Sequence, residues 1–340
     1  MPIPALRAAT LACLLALAAP ASPALAWGAT GHRLIGELGE AALPADLPIF
    51  LRTPQAIEAV GEFAREPDRS KGSGRVHDTE RDPGHFVDLD DDGKILGGPA
   101  LAALPATRSD YETALRAVNT DSYHAGYLPY SIIDGWQQLV KDFTYVRVLE
   151  AAIPRETNPE HKAWMRRDLE RRQALTLRDL GVWAHFVGDG SQPMHVTVHY
   201  NGWGPYPNPN GYTMDRIHAP FEGAFVRTNV GADQVRAAMA AEAPCADPIE
   251  VCAGRYLAAT AATVEPLYAL WKAGGFVGAD PARGKAFAAA RLAAGVDELR
   301  DLVVSAWAAS ANGSVGYPPI TVDQVVKDHM DPYDALYGED

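Results

Sequence analysis

The sequence predicts an all-α fold: a single helical, bundle-like domain whose long loops carry much of its polar chemistry. Three observations predict it. Apolar residues recur at helical spacing over long segments, as with Trp164, Leu169, Leu175, Leu180 and Trp183. No convincing strand-turn-strand series or internal repeat interrupts them. Finally, Pro, Gly, Asp and Asn are concentrated in two stretches, 64–108 and 200–212, which read as long loops between helices.

The chain has 340 residues, enough to bury a substantial core. Hydrophobic residues make up 47% and charged residues 21%, a composition that excludes intrinsic disorder. The formal net charge of −13 argues against an electrostatic wrapper of duplex DNA, which needs a basic face. A phosphate could still be held through bound metal ions, whose charge the formal sum leaves out.

Residues 1–26 read as a signal peptide. Arg7 supplies a short positive region, Leu11 to Ala19 is apolar, and Ala24-Leu25-Ala26 fits an A-x-A cleavage site. Cleavage after Ala26 makes Trp27 the first mature residue of an exported protein, periplasmic or secreted. An uncleaved anchor is the other reading, but the apolar run is too short to span a bilayer comfortably. Cys13 belongs to the leader, which leaves Cys245 and Cys252. In an exported protein a local disulfide is expected of such a pair. A metal site there is the weaker reading, because no His or second Cys pair lies close in sequence.

The mature domain is expected over 27–312, with a C-terminal tail over 313–340. A first helix spans about 30–43 and is stopped by Pro44. After the irregular stretch 64–108, helices are expected at about 109–119, 131–153 and 159–189. Beyond the loop 200–212 they return at about 216–228, 232–243, 250–274 and 283–311. The tail is Pro-rich and acidic, with one short helix near 321–329.

The chemistry concentrates in histidines and carboxylates. His185 and Asp189 lie four apart on a helix, so both reach one point in space. Gly190 and Pro193 then end that helix and let His195 return from the following turn. His218 and Glu222 repeat the four-residue spacing, with Pro220 tolerable in a first helical turn. The long loop adds Asp68 and His85, and His32 follows Trp27 by five residues. Taken singly, each reads as a capping, core or surface residue. Together, imidazoles and carboxylates without thiolates suit zinc in a hydrolytic site. Asp91 and Asp92 do not make a calcium loop, because the twelve-residue pattern with its terminal Glu is missing.

The ordered motifs WGATGH, EPDRSK, GHFVD, HFVGDGSQPMH and HAPFE resemble those of one superfamily. It comprises zinc phospholipase C and the single-strand-specific nucleases S-one and P-one. The resemblance runs from Trp27 to Glu222; beyond about 230 only generic helix matches. It implies three zinc ions at one end of a helical bundle. One would take Asp68, His85, His185 and Asp189. A neighbour would share Asp189 and add His32 with the α-amino nitrogen and carbonyl oxygen of Trp27. The third would take His195, His218 and Glu222. A free α-amino group titrates near ~7.7–8.0, so it can bind a metal at modest cost. His77, His124, His161, His199 and His329 match no role and read as surface or loop residues.

The resemblance further implies phosphodiester hydrolysis by an activated water, without a covalent enzyme intermediate. Asp88 matches a carboxylate that orients the attacking water, and Lys71 a basic residue near the reacting phosphate. The other readings are an acidic-loop residue and a solvated charge. The Trp27-to-His32 spacing and the HFVD motif resemble the nucleases, whereas Glu222, where nucleases usually have Asp, resembles the phospholipases. Tyr200, Asn201 and Trp203, with Tyr206 and Tyr212, lie between two ligand segments. They could stack unpaired bases at ~1–3 kcal/mol each, contact lipid headgroups, or pack their own loop. The expected substrate is single-stranded nucleic acid or nucleotides, with 3′-nucleotidase activity implied. A phospholipid is the alternative, and a non-catalytic zinc-binding protein the second. No obligate protein partner is expected.

Overall fold

The computed structural model describes residues 27–278 and 281–338, so the leader expected at 1–26 lies outside the described residues. The fold is all-α. In chain order its helices are α1 (Gly28–Ala41), α2 (Pro54–Phe63), α3 (Glu66–Ser70), α4 (Arg75–Arg81) and α5 (Arg108–Arg116). There follow α6 (Ser122–Ala125), α7 (Leu128–Ala152), α8 (Pro159–Asp189), α9 (Val226–Asn229) and α10 (Ala232–Ala238). The last are α11 (Ile249–Ala261), α12 (Val264–Lys272), α13 (Ala282–Ser310), α14 (Val322–Val326) and α15 (Tyr333–Tyr337). Short 3₁₀ turns cover Asp82–His85 and Pro193–His195, among others, and a π-helical turn covers Pro220–Phe225.

Four helices, α1, α7, α8 and α13, pack on one another; α2 lies across α1 and α8, and α11 on α7. Local sequence explains where they begin. Asn158 accepts the N–H groups of Glu160 and His161, and Pro159 fills a first-turn position whose N–H has no helical partner. Thr53 and Pro54 start α2 in the same way. Glycine sets how closely the helices approach. A methyl group at Gly135 of α7 would lie 1.9 Å from Cδ1 of Trp183 on α8. The Trp183 indole also donates to the carbonyl of Ile132. Large side chains such as Trp27, Ile35, Phe143 and Phe221 are fully buried in the main core, each worth about 1.5–3 kcal/mol.

The chain beyond 313 is packed against the bundle. Strands β1 (Ser314–Val315) and β2 (Ile320–Thr321) pair antiparallel, with Ser314 opposite Thr321. Val315, Ile320, Val322 and Val325 close a second apolar cluster on Val148, Leu149 and Met165. This cluster caps the C-terminal end of α7 and the N-terminal part of α8, leaving the other end of α8 for His185 and Asp189.

Three expectations about the elements need correction. The stretch 64–108 is not wholly irregular: it holds α3 and α4, and Asp68 lies on α3 rather than in a loop. The helix expected over 250–274 breaks between Ala261 and Val264, since Pro266 has no N–H to continue the ladder. The helix expected over 232–243 ends at Ala238. From there the chain is tied to α13, where Asp297 and Asp301 accept the N–H groups of Ala240 and Ala243. The expected Cys245–Cys252 disulfide joins this segment to α11. Among the described residues no helix is long and apolar enough to cross a membrane.

Candidate metal centre

The last turn of α8 carries His185 and Asp189 into the end of the bundle, and both are fully buried. His32 of α1 stacks on His185 with ring centroids 3.8 Å apart. Gly188 permits this approach, since a Cβ there would lie 3.2 Å from Nδ1 of His32. Asp68 reaches in from α3, its Oδ1 3.8 Å from Nε2 of His185. His85, from the 3₁₀ turn after α4, places Nδ1 2.9 Å from both Oδ2 of Asp189 and Nε2 of His185. Past Gly190 the chain turns back through Gln192 and presents His195. Nε2 of His195 lies 3.1 Å from Nε2 of His218, which in turn lies 2.8 Å from Oε2 of Glu222. His218 and Glu222 keep their one-turn relation although Glu222 lies in a π-helical turn.

Three groups can therefore hold metal ions: His32, His185 and Asp189; Asp68, His85 and His185; and His195, His218 and Glu222. Within each, the ligand atoms lie within 4.8 Å of one another. All of the sequence-derived ligand side chains meet here. The centre has a supporting layer as well. Nδ1 of His185 donates to the carbonyl of Ala64, that of His195 to the carbonyl of His85, and that of His218 to the carbonyl of Tyr200. A carbonyl only accepts, so each ring keeps its proton on Nδ1 and turns the Nε2 lone pair inward. Gln192 donates from Nε2 to Oε2 of Glu222 while its Oε1 accepts the N–H of Met194. Sequence reasoning missed Gln192; its place inside GDGSQPMH, between two ligands, was the available signal.

This arrangement calls for positive charge. Both ring nitrogens of His32, Oδ1 of Asp189 and Oε1 of Glu222 are buried with no hydrogen-bond partner. Leaving one such group unpaired costs about 1–3 kcal/mol. A proton would settle one or two atoms, whereas metal ions would satisfy several at once. Burial lowers the His32 pKa to about 3 and the His85 pKa to about 4, so both rings are neutral and open to a metal near pH 7. For Asp189, burial favours the neutral acid, but His185 and His195 overcome it and hold the carboxylate ionised. Glu222 is held ionised against burial by His218 and His195. Burial depresses His195, while Asp189 and Glu222 raise it above the usual histidine value.

Trp27 is fully buried, and its indole Nε1 lies 2.9 Å from both the carbonyl of Gly188 and Oγ of Ser191. The start of α1 is thereby fixed against the turn that carries Asp189. A cavity of about 640 Å³ opens over the centre, lined by Lys71, Arg75, His85, Asp88, Tyr123, His195, Tyr200, Asn201 and His218. Lys71 is mostly buried, with Nζ 2.7 Å from Oδ1 of Asp68, so it braces a ligand while facing the cavity. Burial raises the Asp88 carboxyl to about 7, with His195 partly opposing it. Tyr200 is 54% exposed, and Asn201 accepts the N–H of His218.

The structure decides two placements that the sequence left open. Trp203 does not line the cavity: it is buried, stacked on His199 at 3.8 Å, and donates to the carbonyl of Pro207. Of surface and loop, His199 is a loop residue. It is buried and joins two loops through the Trp203 carbonyl and Oδ1 of Asp91, at 2.6 and 2.8 Å. No family model, curated protein or solved structure matches this chain.

Proposed function

We propose that the chain is an exported zinc-dependent phosphodiesterase that hydrolyses single-stranded nucleic acid. One observation carries the reading: three histidine–carboxylate groups, with no thiolate among them, lie together, and two of them present His85, His195 and His218 to one open cavity. Hard oxygen and borderline nitrogen donors in this ratio favour zinc over calcium or a thiophilic metal. Three such groups would hold three ions, with the amino nitrogen and carbonyl of Trp27 completing the set around His32 as the resemblance implies.

When bound, such ions would supply Lewis acidity towards a phosphate and lower the pKa of a water. The chain's own residues do the rest. Asp88, at the cavity wall, accepts a proton from the attacking water near neutrality, where its raised affinity suits a general base. Lys71 holds Asp68 in place and adds positive charge at the cavity edge. Tyr200 and Asn201 form the wall beside His218, where an exposed ring offers a stacking face to an unpaired base.

The test is to prepare protein beginning at Trp27, measure zinc per chain, and assay single-stranded DNA, RNA and phosphatidylcholine side by side. Nucleic-acid cleavage that is lost on chelation and restored by zinc is the expected result. Cleavage of the lipid with intact nucleic acid would replace this reading with a phospholipase C. Three bound zinc ions with no turnover on any substrate would favour a non-catalytic zinc-binding protein.

A further inference from the structure

Upstream of its ligand-bearing turn, α8 carries a feature that the metal centre does not use. The segment 162–178 holds six cationic side chains and only two carboxylates, in a chain of formal net charge −13. Trp164, Arg167, Arg171, Leu175 and Arg178 recur at helical spacing, and all are exposed. Arg166 flanks this stripe and is exposed as well. Trp164 and Leu175 remain 43% and 46% exposed, and Arg167 lies over the Trp164 ring at 5.4 Å. Other cations nearby are engaged: Arg178 pairs with Asp179 at 2.7 Å, and Arg172 lies over Tyr145 at 3.9 Å. Among the described residues, Arg166, Arg167 and Arg171 have no ion-pair partner within reach. Such a cluster repels itself unless an anion covers it.

The stripe also points somewhere. Arg171, Arg178 and His185 follow at intervals of seven, which returns to within about 20° of the same helix face each time. The face that shows arginines to solvent therefore becomes, about 10 Å farther along the axis, the face that carries His185 to the metal centre. Arg167 and Arg171 are separated by a rise of about 6 Å, a spacing compatible with a strand's successive phosphates.

We infer that this face of α8 is a docking track for the backbone of single-stranded nucleic acid outside the cavity. Arg166, Arg167 and Arg171 contact phosphates, and the exposed part of Trp164, whose ring also meets Tyr337 and Arg167, adds an apolar contact. The choice of polymer rests on the phosphodiesterase reading above; the need for an anionic partner rests on the charge pattern alone. An anionic membrane is the competing occupant, and collinearity with the ligand face favours the strand.

The experiment compares the wild-type protein with R166A/R167A/R171A; alanine preserves the helix, which circular dichroism checks. Anisotropy reports binding of a labelled single strand of about thirty phosphorothioate-linked nucleotides, at 50 and 200 mM salt. Losing three phosphate contacts should flatten the logarithmic salt dependence by about 2, so the wild type's affinity advantage shrinks more than tenfold between the two salts. In parallel, kcat/KM should fall for the long strand and stay unchanged for a dinucleotide. Equal affinities and slopes in the two proteins would overturn the inference, as would a wild type that fails to bind the strand. So would a defect confined to phosphatidylglycerol vesicles. If the wild type cleaves neither strand nor dinucleotide, the nuclease reading fails by itself, and the binding contrast still decides the track.

Discussion

Asp189→Asn is the sharpest test of the metal centre, because this carboxylate touches more of the site than any other carboxylate. Its Oδ1 lies 3.5 Å from Nε2 of His32, and its Oδ2 lies 2.9 Å from His85 and 3.3 Å from His185. Asparagine keeps the shape, removes the charge and brings N–H protons in among lone pairs. The group of His32, His185 and Asp189 should fail, and that of Asp68, His85 and His185 with it, because Asp189 lies against both of its histidines; the group of His195, His218 and Glu222 keeps its ligands. At free zinc near 100 times Kd, one bound ion contributes about 2.7 kcal/mol, and three about 8 kcal/mol. In a domain of this size 1 kcal/mol shifts Tm by about 2 °C. Chelation should therefore lower the wild-type Tm by about 16 °C but that of the variant by only about 5 °C. Comparing each protein with its own chelated form cancels any effect of the substitution on the fold itself. Calorimetry with and without chelator, alongside metal analysis, makes the measurement. A variant that keeps the wild-type zinc content and chelation shift would refute the placement of Asp189 between two metals.

Three further outcomes are expected. Protein carrying a verified, uncleaved tag before Trp27 should stay helical by circular dichroism but lose most activity and about one zinc per chain; full activity would remove the terminal amine from the site. Burial raises Glu298 to about 8, against about 4.3 in an unfolded chain, so stability should fall as pH rises between those values and stay low above 8. Glu298→Gln should then match wild type near pH 4 and exceed it by about 2–4 kcal/mol at pH 9 in urea titrations, and a pH-independent difference would contradict this. Gly135→Ala forces a methyl into the Trp183 ring and should cost about 2–3 kcal/mol in the same titrations, with zinc content unchanged.

The helices and two of the ligand pairs were legible in the sequence for the same reason, periodicity, whereas His32, Asp68, His85 and His195 were placed by the motif resemblance. The long helices α7, α8 and α13 fall close to the expected ranges because apolar residues recur over many turns, although in α8 two of the periodic set, Trp164 and Leu175, face solvent. His185 with Asp189, and His218 with Glu222, converge because a one-turn spacing fixes direction. Short helices were less legible. In α3 and α4, five and seven residues of mostly polar sequence leave no face to read, and Pro67 resembles a loop residue as easily as a first-turn one. For Trp203 the sequence left several readings open, because an aromatic in a Gly- and Pro-rich loop looks equally suited to a ligand and to a small local core. The stack on His199 decides for the core.

What sequence could not show is the layer that orients these histidines so that they could hold metal ions. Three backbone carbonyls, from Ala64, His85 and Tyr200, fix the ring protons, and any residue type can present a carbonyl. Two of those three carbonyls belong to residues at the centre's own edge, His85 as a ligand and Tyr200 as part of the cavity wall. The ligand shell and its support are thus built from the same turns. Moving the Asp82–His85 turn would displace one ligand and release the proton orientation of His195 at once. Losses at His85 and His195 should therefore be less than additive in a double-mutant cycle on zinc affinity, because the first substitution already disturbs the second site. Strict additivity would mean that replacing the His85 ring leaves the Asp82–His85 turn, and the carbonyl that orients His195, in place.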